Sequence, residues 1–99
     1  MSKVVILKSS KPYSPEYESI LISIIEQGTD LFATVGVDCV SWEDAMDWLC
    51  VDMEVSGKLP GAFCNTTSHP SESFAEVQAF AEQWCTLKNW QPEIAVIEI

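Results

Sequence analysis

The chain alternates between two hydrophobic periods. A short, densely apolar run is followed by a capped amphipathic stretch, three times over, and a fourth apolar run closes the chain. Runs apolar on both faces suit parallel strands covered by helices, whereas apolar residues recurring every three or four positions suit helices with one buried stripe. The rhythm predicts βαβαβαβ.

The first strand is expected from Lys3 to Lys8, around Val4-Val5-Ile6-Leu7. A first helix follows, with Ser14 as N-cap and Pro15 at the first helical position, where its missing N–H costs nothing. Tyr17, Ile20, Leu21, Ile24 and Ile25 form its stripe, and Gly28 ends it. Strand two is expected from Leu31 to Val35. Helix two opens with Ser41 and Asp44 as a variant capping box; Trp42, Ala45, Met46, Leu49, Cys50 and Met53 share one face. Glu43, Asp44, Asp47 and Glu54 lie opposite, with Trp48 off the stripe near them. Strand three is expected from Ala62 to Thr66, and the polar residues after it up to Ser73 read as loop. Ser73 and Glu76 cap helix three, whose apolar face carries Phe74, Val77, Phe80, Ala81, Trp84 and Cys85. Strand four is expected from Glu93 to Ile99, and Glu98 within it suggests an edge.

These elements make a single α/β domain over residues 1–99: a small three-layer sandwich of three helices on a four-stranded, mainly parallel sheet. Right-handed crossovers, an inner first strand and an edge fourth strand give the order 2-1-3-4, a truncated flavodoxin-like sheet. Ligands in such sheets bind where the order reverses, here between strands one and three. The loops Ser9–Ser14 and Thr66–Ser73 would meet there, flanked by Asp38.

Composition narrows the classes. Hydrophobic residues make up 47% of the 99, so the chain can build a core, and no apolar run approaches the length that crosses a bilayer. The run after Met1-Ser2-Lys3 is too short for a signal-peptide core, so a cytoplasmic location is expected. Cys39, Cys50, Cys64 and Cys85 show no zinc-ligand spacing and read as buried thiols of a reducing compartment. The net charge is −10, with no arginine; between Pro12 and Gly57 there are ten carboxylates and no basic residue. Such a surface repels nucleic acid and anionic membrane, and neither is expected as a partner.

Two candidate sites follow. The first is a ligand- or anion-binding loop of Ser10, Thr67, Ser68 and His69 at the switch point. It combines the sole histidine, able to move protons near neutral pH, with hydroxyls and a helix N-terminus. A nucleophilic triad is the weaker reading: Ser68 is adjacent to His69 in sequence, Asp38 is the only third member on offer, and no nucleophile elbow is present. The second is a partner-binding face of Glu43, Asp44, Asp47, Trp48 and Glu54, a tryptophan anchor within a field of carboxylates. Asp38, Asp44, Asp47 and Glu72 offer oxygen ligands but no EF-hand spacing, so no metal is assigned, and no residue set requires a cofactor.

The stretches Ser41-Trp42-Glu43-Asp44-Ala45-Met46-Asp47-Trp48-Leu49-Cys50 and Thr66-Thr67-Ser68-His69-Pro70-Ser71-Glu72-Ser73 together resemble a family of short acidic bacterial proteins of unknown function. That resemblance implies a small single-domain bacterial protein and assigns no residue a role.

The expected function is a non-enzymatic protein-binding module of adaptor, inhibitor or immunity type, docking a basic protein surface through helix two. The alternative is a small-molecule or anion-binding domain, or a minor enzyme, built on the His69 loop. Self-association into a homodimer, through the edge of strand two or strand four or through exposed apolar helix surface buried against its copy, is a further expectation.

Overall fold

β1 (Val4–Ser9) is the strand around which the rest of the sheet is built. The computed structural model describes residues 4–59, 61–91 and 93–99; Lys3, expected to open this strand, lies outside them. The other elements are a 3₁₀ turn (Pro15–Tyr17), α1 (Glu18–Glu26), β2 (Leu31–Gly36), α2 (Cys39–Val55), β3 (Asn65–His69), α3 (Phe74–Leu87) and β4 (Ile94–Glu98). All strand pairs are parallel, in the order β3-β2-β1-β4. The fold is therefore an α/β sandwich with a four-stranded parallel sheet and three helices.

Alternation along the strands splits the core into two layers. Val5, Leu7 and Phe32 pack with Leu21, Ile24 and Ile25 of α1 and with Trp42 and Met46 of α2. Val4, Ile6, Leu31, Ala33 and Val35 pack on the opposite face with Val77, Ala81 and Cys85 of α3. Right-handed crossovers explain the division: the chain steps from β1 to β2 to β3 in one direction, with α1 and α2 on one face. It then returns past β2 and β1 to β4, which puts α3 on the other face.

The first strand lies inside and the fourth at an edge, but the third lies outside the second and not between the first and fourth. The polar make-up of β3, Asn-Thr-Thr-Ser-His, explains this: an edge strand leaves such residues partly solvated. The switch point consequently falls between β1 and β4, as in the first four strands of the doubly wound order 3-2-1-4-5-6.

Three element boundaries also differ from expectation. β3 begins at Asn65, whose N–H bonds Asp30 C=O (2.8 Å), while Ala62 and Cys64, expected within the strand, are buried in the α1–α2 core layer ahead of it. Its residues Thr67 to His69, expected as loop, continue the ladder beside β2. α2 starts at Cys39, and Ser41 is therefore an interior residue; the N-cap is Asp38, in a left-handed conformation, whose C=O accepts from the N–H groups of Ser41 and Trp42. Ser14 is extended, as an N-cap should be, but its hydroxyl makes no capping bond, because the first turn winds as 3₁₀ with Tyr17 N–H on Ser14 C=O (3.0 Å). The Ser73–Glu76 capping box forms as expected. The bonds from Ser73, chiefly its backbone N–H, hold the Glu76 carboxyl below the ordinary range.

The ends of β1 and β2 meet at one tight point. Gly36 has φ +101°, and a Cβ there would collide with the Ser9 carbonyl. Val37 N–H then bonds that same carbonyl (3.0 Å). Gly36→Ala is expected to lower the unfolding free energy by about 2–4 kcal/mol through backbone strain and collision. The shift of the urea midpoint measures it, and an unchanged midpoint would contradict so close a junction.

Candidate functional site

The first candidate cluster is divided by the topology. Ser10 ends beside β4, where its hydroxyl donates to Ile99 C=O (2.7 Å). His69 lies on β3, with β2 between it and β1, the strand that leads into Ser10, so roughly 10 Å of sheet separates the two residues. Ser68 points to the α1–α2 face, while Thr67 and His69 point to the α3 face, because neighbouring strand residues alternate. Only Thr67 and His69 are brought together.

Those two belong to a three-group chain. Thr67 Oγ1 lies 2.8 Å from His69 Nε2, and His69 Nδ1 lies 2.8 Å from Glu72 Oε1. A carboxylate only accepts, so Nδ1 carries a proton, and in the neutral ring Nε2 accepts from the Thr67 hydroxyl. The acid on His69 is thus Glu72, three residues along, a spacing that sequence alone does not single out in a loop. Asp38, the expected third member, instead accepts the Tyr13 N–H (3.1 Å). The imidazole is 8% exposed and packs against Phe80, with ring centroids 5.1 Å apart. Both ring nitrogens are used within the chain, so the arrangement works as a clip from β3 to the turn before α3. His69→Ala is expected to cost about 1–3 kcal/mol in chemical denaturation, from lost packing and unpaired partners. An unchanged unfolding free energy would remove the clip.

The β1–α1 loop, where doubly wound folds receive phosphate, is bound down by its own neighbours. Ser9 Oγ sits between the carbonyls of Lys11 (2.6 Å) and Val37 (2.7 Å), to either of which it can donate. Trp42 Nε1–H donates to Lys11 C=O (3.1 Å), and Tyr13 meets the Trp42 ring edge-on at 5.1 Å. At the switch point itself is an open crevice of about 240 Å³ lined by Lys8, Ser9, Ser10, Glu98 and Ile99, where Lys8 is paired with Glu98 (3.7 Å).

The cysteines are free and buried. Burial, with the neighbouring Cys50 thiol and the Asp30 and Asp47 carboxylates, pushes the Cys64 thiol up to about 12, the opposite of what a nucleophile needs. Among the described residues, no three His, Cys, Asp or Glu side chains gather where they could hold a metal.

The second candidate face is more coherent. Glu43, Asp47 and Glu54 run along the flank of α2, and Asp47 accepts the Thr66 hydroxyl of β3 (2.7 Å), which fixes how that flank sits. Asp44 and Trp48 lie further from the sheet, and Trp48 is 75% exposed. The structure adds Val51 (53% exposed) and Val55 (81%), which continue the Trp48 position at helical spacing. Their absence from the buried stripe was the available signal. Asp47, Trp48 and Val51 line an open groove of about 250 Å³.

A family model described as a domain of unknown function, DUF7684, matches residues 2–98. The chain belongs to this family. DUF7684 membership agrees with the resemblance to a family of unknown function and, like it, carries no activity to any residue. No curated protein and no solved structure matches the chain.

Proposed function

We propose that this DUF7684 chain is a non-enzymatic protein-binding module, of adaptor, inhibitor or immunity type, that docks a basic partner surface on the outer face of α2. The observation that carries this reading is Trp48, 75% exposed and continued by Val51 and Val55 on a helix whose other surface residues are largely carboxylates. An exposed tryptophan has large apolar area to gain from burial, and such residues dominate interface energetics. The uncompensated carboxylates from Glu16 to Glu54 supply a field that speeds encounter with a cationic partner and repels anionic ones.

A cytoplasmic site of action belongs to the same proposal and is supported by four buried free thiols; no helix among the described residues is long and apolar enough to cross a membrane. The His69 loop supports the alternative ligand-binding reading less well, because His69 and Ser10 lie two strands apart.

The test is affinity capture from host lysate at low and high salt, followed by binding kinetics with the purified partner. Trp48→Ala is expected to weaken binding by about 30-fold, mainly through faster dissociation. Asp44→Asn, Asp47→Asn and Glu54→Gln together are expected to slow association and flatten its salt dependence. A partner bound equally by wild type and both variants would contradict the reading.

A further inference from the structure

The two edges of the sheet differ in chemistry. β3 presents Asn65, Thr66, Thr67, Ser68 and His69, and α2 reaches over it through the Asp47–Thr66 bond. β4 presents Ile94, Ala95, Val96 and Ile97 before reaching its first charge at Glu98, which Lys8 of the same chain already pairs. Across Ile94 to Ile97 no charge, no proline and no bulge interrupts the ladder to β1, and the one charge of the strand, Glu98, stands at its end. Cover is also incomplete on both faces. Val96 is 43% exposed on the α3 face. On the other face an apolar groove of about 280 Å³ runs between α1 and β4, with Val5, Ile20, Ile24, Ala95 and Ile97 in its lining.

We propose that β4 is a self-association edge, and that two copies of this chain pair their β4 strands antiparallel about a two-fold axis through Val96, joining two sheets into one. This rests on the sheet edge alone and is independent of the α2 reading.

The hydrogen-bond register fits this axis. Ile99 N–H bonds Lys8 C=O (3.0 Å) and Ile99 C=O accepts Ser10 N–H (2.9 Å), so the backbone groups of Ile99 face β1. Successive strand residues alternate direction, so Ile97 and Ala95 also face β1, and Ile94, Val96 and Glu98 turn their N–H and C=O groups outward. A two-fold axis at Val96 sets Val96 opposite Val96, and Ile94 opposite Glu98, as hydrogen-bonded pairs. Ala95 of one copy then faces Ile97 of the other, a small residue against a large one on the grooved face.

Charge permits the approach. The lip of α1 along the groove carries Ser19, Ser23 and Gln27, all uncharged, and the Lys8–Glu98 pair is neutral. Elsewhere the chain is strongly acidic, so long-range repulsion opposes association and salt should relieve it. The paired surface is one short strand with its groove lips, which places the dimer in the weak class of interfaces.

Sedimentation equilibrium from about 10 to about 500 µM spans the range where such an interface would titrate. Wild type is expected to rise from its 11.0 kDa monomer mass toward twice that value, more steeply at higher salt. Val96→Lys opposes two cations across the axis and is expected to remain monomeric with an unchanged circular-dichroism melt, whereas Trp48→Ala should dimerise as wild type does. Should the lysine variant fail to fold, amide exchange of wild type decides: the Ile94, Val96 and Glu98 amides should gain protection as concentration rises. A wild type monomeric throughout, a dimer that survives Val96→Lys, or outward amides indifferent to concentration would overturn the proposal.

Discussion

Burial of the Trp42 indole is the interaction on which the rest of the arrangement depends. The ring is fully buried, with Tyr13 and Tyr17 each at 5.1 Å, and its N–H is satisfied by the Lys11 carbonyl. Tyr13 and Lys11 belong to the β1–α1 loop, Tyr17 to the turn that opens α1, and Trp42 to the first turns of α2. One side chain thus holds together the loop, the start of one helix and the start of another over the β1–β2 layer. A buried aromatic is well suited to this, since it combines large apolar area with one polar atom that must find a partner. The Asp38–Tyr13 and Ser9 contacts tighten the same corner, which leaves the phosphate position of the doubly wound fold to the chain's own backbone.

Much of the fold was legible because local and global signals agree. The Ser73–Glu76 box, Gly28 at a positive φ of 77°, the apolar stripes of the helices and the two-sided apolar β1 all state locally what the sheet requires globally. β3 was displaced because hydrophobicity was the signal used, and an edge strand does not need it: Asn65 to His69 pair with β2 while keeping polar side chains, and the apolar residues before them pack as a connector. An inner β1 and an edge β4 fit the observed order as well as the expected 2-1-3-4, and the polar β3 is what belongs at the second edge. Ser41 resembles a cap, but α2 already begins at Cys39, and it is the Asp38 carbonyl that accepts from the Ser41 and Trp42 N–H groups.

The candidate sites were legible to different degrees. Trp48 and its acidic neighbours were readable because surface position on a helix follows directly from its period. The exposed valines completing that patch were equally available to the same logic. The Thr67–His69–Glu72 chain was not, because it needs β3 to extend through His69 and the next turn to fold Glu72 back beneath the imidazole. Tertiary placement of this kind has no period to betray it.

α2 therefore carries two tryptophans in opposite placements, Trp42 buried beneath the β1–α1 loop and Trp48 75% exposed on the outer face. Urea unfolding of Trp42→Phe beside Trp48→Phe tests that division most directly. Trp42→Phe is expected to lose about 2 kcal/mol or more, from a vacated volume and an unpaired Lys11 carbonyl, and Trp48→Phe to stay within about 0.5 kcal/mol of wild type. Equal losses, or a Trp42→Phe variant as stable as wild type, would contradict it.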